Sequence, residues 1–442
     1  MAKKPKDEFS RKALEYSKFY GGKVGVAPKV PVRSLDDFSI WYTPGVAAVS
    51  KAIEADPELS FDYTGRWNTI AVVTDGTRVL GLGDIGPEGA LPIMEGKALI
   101  YNYLGGVNAI PLPVRAKTQE ELISVVKALE PSLGGVNLED IESPKCFEVL
   151  DRLRAEMKIP VWHDDQQGTA GVTLAALYNA LELTGRKLRG TKIVLLGAGA
   201  ANVAAERLLI EAGADPRDII VLDSRGILQP EREDIDQLML KNRWKYEIAI
   251  HTNGDRISGG LKDALKGADV LVAAAGQGPA MVKPDEVAVM NKRAVTFFMA
   301  NPVPEMLPEA ARSAGAEIIA TGRSDYPNQV NNSLLFPAIF RGALDVRAKT
   351  ITDSMVIAAA SELAAFAREK GIDRNYIIPT MVQWEVYPRV AAKVGQAAIR
   401  EGVARKKLSR KGSLDTAMKM IEHSRKVMKT LRRSGVIVDP PE

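Results

Sequence analysis

The segment Leu196-Gly197-Ala198-Gly199-Ala200-Ala201-Asn202 constrains the fold of this chain more than any other. An apolar run over 192–196 leads into it, and an Ala/Leu-rich helical pattern over 200–212 leads out. The first glycine permits a tight turn, and the second lets the backbone approach a pyrophosphate. The following helix offers free N–H groups and the positive end of its dipole. Further apolar runs at 219–222, 270–274, 295–299 and 317–320 alternate with helical or loop segments. That alternation predicts an α/β domain with a doubly wound, mostly parallel sheet of the Rossmann type.

Asp223 closes the run after the glycine turn, at the distance where a carboxylate accepts from ribose hydroxyls. Asn202 stands where the pattern favours a third small residue. The candidate cofactor contacts are therefore Gly197, Ala198, Gly199, Ala200, Ala201, Asp223 and Arg225. Asp223 repels a 2′-phosphate whereas Arg225 pairs with one, so both NAD and NADP stay open.

Before this region the pattern is different. Runs at 70–73 and 79–82 flank Asp75-Gly76 and read as two strands joined by a tight turn. Residues 120–129 have helical spacing, and Gly134-Gly135-Val136-Asn137 leads into a strand end. Beyond Pro337 the chain reads as helices, at 353–368, 387–401 and 414–431. We expect an N-terminal α/β domain over 1–167 and the dinucleotide domain over 168–442, the latter including a C-terminal helical segment from about 337.

Composition narrows the function classes. Lys+Arg number 59 against 55 Asp+Glu, a margin too small to argue for nucleic acid or an acidic membrane as partner. Basic clusters at 2–6 and 400–411 read as solvated tails. No signal-like segment opens the chain and no run has the roughly 20 apolar residues of a membrane span. With the single cysteine, Cys146, this makes the cytoplasm the expected location. Only three histidines occur, His163, His251 and His423, which leaves little for a histidine-based dehydrogenase or a histidine-rich zinc site.

Four segments are dense in functional side chains: Trp41-Tyr42-Thr43-Pro44-Gly45; Arg78 through Asp84 to Glu95-Gly96-Lys97; Asn137-Leu138-Glu139-Asp140; and Trp162-His163-Asp164-Asp165-Gln166-Gln167-Gly168. Adjacent carboxylates at a strand end repel one another unless a cation bridges them. With Ala300-Asn301-Pro302 and the stretch from Gly322 to Asn331-Asn332, these motifs resemble, in the same order, the short prokaryotic malic enzymes. The similarity runs from about Phe9 to about Ala404.

The resemblance implies oxidation of malate by NAD or NADP and decarboxylation to pyruvate with Mg²⁺ or Mn²⁺. It implies that the first domain carries substrate and metal. Residue by residue, it makes Lys97 the base for the C2 hydroxyl, Asp164 its partner and Tyr42 the acid that protonates the enol carbon. Glu139, Asp140 and Asp165 become the metal carboxylates, hard ligands suited to those ions. Arg78 becomes the carboxylate-binding arginine, and Asn301, Asn331 and Asn332 the amides near substrate and nicotinamide, Asn301 also touching the cofactor. Gln167 departs from the histidine that many relatives carry. For Lys97 to serve as base its pKa should fall through burial or a neighbouring cation. A homodimer or dimer of dimers is implied as well.

Three other readings stand beside this one. A malolactic enzyme would keep NADH bound and release lactate; a plain 2-hydroxyacid dehydrogenase would turn over in EDTA. A dinucleotide-binding regulatory protein would bind cofactor and convert no malate.

Overall fold

The computed structural model describes residues 6–79, 81–276, 278 and 281–440. The basic cluster at 2–6 falls outside them except for Lys6, as does Leu80 of the run at 79–82. Two parallel sheets organise the chain. The first has four strands in the order β2-β1-β3-β4: β1 (Thr69–Thr74), β2 (Asn108–Pro113), β3 (Gly135–Leu138) and β4 (Val161–His163). Ile70 pairs with Ala109 on one side and with Gly135 on the other. β1 is thus central and has no edge left for a hairpin partner. Among the described residues of the expected second strand at 79–82 none belongs to a strand; Val79 forms an isolated bridge to Gly83.

The second sheet has the order β10-β9-β8-β5-β6-β7, from β5 (Ile193–Leu196), β6 (Ile219–Asp223), β7 (Gly226–Ile227), β8 (Val270–Ala273), β9 (Ala294–Phe298) and β10 (Ala316–Thr321). All its pairings are parallel except β6–β7, an antiparallel return of two residues. Successive side chains of a strand point to opposite faces. Ile193, Val221, Val270, Val295 and Ile318 accordingly enter a large core shared with the first sheet. Val194, Leu222, Leu271, Phe298 and Ile319 build a smaller core on the opposite face. Burial on both faces explains why these strands read as unbroken apolar runs.

The helix Thr169–Thr184 joins the two sheets, and almost its whole surface is buried. The helix Phe336–Asp345, every residue of which is buried, packs on Gly86–Gly105 of the first unit, as does Arg410–Arg433. Inside this contact Arg341 is fully buried, its guanidinium bonded to Asp345, Asn68 and the carbonyl of Gly106. The C-terminal helices therefore return to the first sheet although they follow the second in sequence. No described helix is long and apolar enough to cross a membrane.

Candidate active site

The carboxyl ends of both sheets open on one cleft of about 800 Å³, the position where parallel sheets place ligands. On the first-sheet side Asp140 and Asp165 line it, while the helix Gly86–Gly105 contributes no lining residue. Two prolines and five glycines (Gly86, Gly89, Gly96 and the closing Gly105 and Gly106) hide this helix from propensity reasoning. Pro87 sits in its first turn, where no N–H partner is lost. On its buried face is Lys97, 9% exposed.

The Lys97 ammonium donates to Glu139 Oε1 at 2.6 Å and to Asp164 Oδ2 at 2.5 Å. Its Nζ lies 4.5 Å from the centre of the Phe336 ring. Glu139 follows β3 and is held by Asn137, whose amide donates to Oε2 at 2.9 Å. Tyr101 Oη donates in turn to Asn137 Oδ1 at 2.7 Å and so orients that amide. Asp164 accepts Trp162 Nε1–H at 3.0 Å. Asp164–Gly168 is a single π-helical turn, which turns two adjacent aspartates in different directions. A Cβ at Gly168 would sit 1.9 Å from Asp164 Oδ1, so glycine is required there.

Asp140, in the left-handed region at φ 53°, donates its backbone N–H to Asp165 Oδ2 at 2.9 Å. Ligand oxygens of Glu139, Asp140 and Asp165 all lie within 4.8 Å of one another. Oxygen donors gathered this closely fit a hard divalent cation. Asp164 points away from that cluster toward Lys97.

Around this one ammonium stand the carboxylates of Glu139, Asp164 and Asp165. Burial works to depress the Lys97 pKa, but attraction to Asp164, Glu139 and Asp165 outweighs it and holds the amine above its ordinary range. The expectation of a lowered lysine pKa is corrected here: the neighbours are carboxylates, not cations. Burial pushes the Glu139 and Asp164 carboxyls up, with Lys97 opposing. His163 is fully buried, which lowers it to about 4 and keeps it neutral. Gln167 Oε1 accepts the His163 backbone N–H at 3.0 Å, so this side chain fastens the turn.

The opposite wall is the end of β5. Gly197 has φ 99°, and a Cβ there would lie 2.5 Å from Ala274 O. A Cβ at Gly199 would meet nothing within 4 Å; the space it would fill belongs to the cleft. Ala200–Glu211 starts here and aims its N-terminus into the cleft. Asn202 earns its place at the third glycine position: its buried amide donates to Leu196 O and Gly197 O, both at 2.9 Å, and ties the turn to the helix.

Asp223 ends β6 but accepts from Arg232 Nη1 and Lys245 Nζ, both at 3.0 Å, and from the Arg225 N–H at 2.9 Å. Burial raises its carboxyl, yet these donors outweigh burial and leave it below its usual range. The Arg225 side chain is exposed and reaches Asp234 at 3.3 Å.

Arg78, Asn301, Asn331 and Asn332 all line the cleft. Arg78 is exposed, and its backbone N–H donates to Asp140 O at 3.0 Å. Asn331 Oδ1 caps the short turn Asn332–Leu334 through the Ser333 N–H. Tyr42 is apart from this group: it follows the helix Leu35–Trp41, is 72% exposed and does not line the cleft. Around it Leu35, Phe38, Ile40 and Trp41 are exposed too. Sequence reasoning missed Tyr101, Asn137, Trp162 and Phe336 as supports of the cluster. Asn137 alone carried a local signal, a polar residue in a strand buried on both faces.

The family model "Malic enzyme, NAD binding domain" matches residues 166–399, and "Malic enzyme, N-terminal domain" matches 22–122. The chain is 47% identical over 386 residues to the NAD-dependent malic enzyme of Geobacillus stearothermophilus, covering 87% of this chain and 78% of that one. It is 48% identical to the bifunctional malic/malolactic enzyme of Bacillus subtilis, covering 89% and 94%. Among solved structures it resembles the Entamoeba histolytica malic enzyme, with TM-score 0.94, 43% identity and coverage of 98% and 90%. The Pyrococcus horikoshii malic enzyme superposes with TM-score 0.91 at 46% identity, covering 96% and 99%.

Proposed function

Because the chain belongs to the malic enzyme family, we propose that it oxidises malate with NAD or NADP and decarboxylates the product to pyruvate and CO₂ in the cleft between its sheets. One observation carries the reading: Glu139, Asp140 and Asp165 gather their oxygens beside Lys97, across the cleft from the glycine turn. In this reading those three carboxylates hold Mg²⁺ or Mn²⁺, which supplies Lewis-acid stabilisation of the negative charge that decarboxylation leaves on oxygen.

This chain's own residues do the rest. Arg78, unpaired among the described side chains and facing the cleft, takes a substrate carboxylate bidentately. Asn301, Asn331 and Asn332 orient substrate against the nicotinamide ring. Lys97 must be neutral before it can accept the C2 hydroxyl proton as hydride leaves for the cofactor. Asp164, at 2.5 Å, is the group that takes or shares its surplus proton. Engaging Glu139 and Asp165 elsewhere removes part of their pull on the ammonium and lowers its pKa toward that task.

Tyr42 is the acid for the enol carbon. Its exposure within an apolar segment supports a homodimer in which Tyr42 serves the cleft of a second copy. The domain division at 167/168 belongs to the same reading, supported by the family model that begins at 166. Cytoplasmic location follows as a proposal from the chemistry of a soluble metabolite.

The test is malate with NAD or NADP, with and without Mn²⁺, following reduced cofactor and pyruvate together. Mn²⁺-dependent, equimolar formation of both is expected, and Asp165→Asn should abolish the Mn²⁺ response. Turnover unaffected by EDTA would refute the metal assignment. The bifunctional relative supports one second activity: lactate appearing without net reduced cofactor identifies malolactic turnover.

A further inference from the structure

Glu305 lies behind the cleft, outside every motif considered so far. It is 0% exposed, yet no ion pair reaches it among the described residues. Its two carboxylate oxygens go to two different loops: Oε1 accepts the Ala275 N–H at 3.1 Å, and Oε2 accepts the Ala300 N–H at 3.2 Å. The Gly276 N–H contributes to the same carboxylate. Its own carbonyl accepts the Val282 N–H at 3.2 Å.

Those loops are the ones that follow β8 and β9, adjacent strands of the second sheet. Ala275, Gly276, Ala300 and Asn301 all line the cleft on the dinucleotide side. Between the two strand ends the ladder has stopped, and a side chain supplies the cross-link that backbone pairing no longer makes. A buried acid is costly unless it satisfies several donors, so the site is constructed for this task.

We propose that Glu305 is a positioning residue for the dinucleotide: its carboxylate braces the loops after β8 and β9 at the spacing that receives the nicotinamide half. The proposal rests on the reading of the cleft as the dinucleotide site. Bracing both loops takes two acceptor oxygens. A protonated carboxyl keeps one good acceptor and turns the other oxygen into an O–H donor, a much poorer acceptor for an N–H.

Burial pushes the Glu305 carboxyl up to about 7, against the lowering effect of backbone N–H groups, those of Ala300, Ala275 and Gly276 included. On the adjoining loop Arg323 pairs with Asp325 and bonds Pro302 O, and Glu286 accepts the Lys283 N–H. The brace is complete above that pH and half released below it. Dinucleotide affinity should therefore rise from pH 6 to pH 8.

The experiment measures binding without turnover. NADH and NADPH are titrated by fluorescence into the full-length protein at pH 6, 7 and 8, with neither malate nor metal. Wild type should bind its preferred dinucleotide about threefold to tenfold more tightly at pH 8 than at pH 6, the worth of one hydrogen bond. Glu305→Gln, which has one acceptor at every pH, should lose that dependence and bind at pH 8 as wild type does at pH 6. Glu305→Asp should keep a pH-dependent limb. A flat wild-type profile overturns the proposal even if neither variant folds, and so does a Glu305→Gln profile parallel to wild type. If wild type binds neither dinucleotide at any pH, the reading of the cleft fails, and the proposal with it.

Discussion

Replacing Lys97 with methionine keeps the length and apolar bulk of the side chain and removes its charge. The structure sets the consequence. Glu139 and Asp164 are 5% and 0% exposed and share this ammonium at 2.6 and 2.5 Å. Breaking a buried ion pair by removing one partner costs about 3–5 kcal/mol, because the remaining charge stays buried. At roughly 2.1 cal/mol/K of unfolding entropy per residue, a chain of 442 residues loses about 1 °C of melting temperature per kcal/mol when it unfolds as one unit.

A fall of about 3–5 °C is therefore expected for Lys97→Met at pH 8. The sign with pH follows from burial. The Glu139 and Asp164 carboxyls already sit above their ordinary values, and losing Lys97 removes what opposed that rise. A carboxyl raised in the folded state gives up stability as pH climbs from its ordinary range through the folded value, so the deficit should shrink at pH 5.5. Mn²⁺ should stabilise the variant more than wild type, since a bound cation then relieves a larger surplus of negative charge. Melting curves at both pH values, with and without Mn²⁺, decide the matter. A variant melting within one degree of wild type at pH 8, with no extra response to Mn²⁺, would refute the description of Lys97 as the structural counter-ion.

Other outcomes are equally specific. Gly197→Ala forces a Cβ to 2.5 Å from Ala274 O. It should weaken NADH binding about fivefold or more, read by the same fluorescence titration, as the glycine turn and the loop after β8 are pushed apart by about 1–3 kcal/mol of strain. Tyr42→Phe and Lys97→Ala should each abolish turnover alone, whereas mixing the two after unfolding and refolding together should restore roughly a quarter of wild-type activity if sites are shared across a two-fold dimer. No recovery would return Tyr42 to its own chain's cleft. The hydrogen bond that His251 Nε2–H donates to Glu206 Oε1 at 2.7 Å raises the His251 pKa, opposed by burial. That contribution is present below the ordinary histidine range and fades as pH rises through the folded value. The fall in melting temperature between pH 6 and pH 8 should shrink in His251→Gln.

Much of this protein is written in local pattern. The strand–Gly–Ala–Gly–helix turn, the run of parallel strands after it and the family motifs are short segments whose physics involves neighbours in sequence. Gly197 and Gly199 can be read as a phosphate turn because backbone geometry and an unfilled Cβ position are properties of a few residues. The carboxylate pairs Glu139-Asp140 and Asp164-Asp165 are visible for the same reason, and their repulsion already calls for a cation.

Charge state and partnership were not legible, because they depend on contacts between residues far apart in the chain. Lys97 meets Glu139 across 42 residues and Asp164 across 67, and that meeting reverses the expected direction of its pKa. Asp223, read from its position as a ribose acceptor, proves to be occupied by Arg232 and Lys245. The helix that carries Lys97 is masked by its glycines and prolines; packing against Phe336–Asp345 and Arg410–Arg433 sustains it where propensity would not. Local sequence therefore determined which groups are available and on which turns they sit. Tertiary packing decided which of them are buried together, and burial sets the strength of every charge in the cleft.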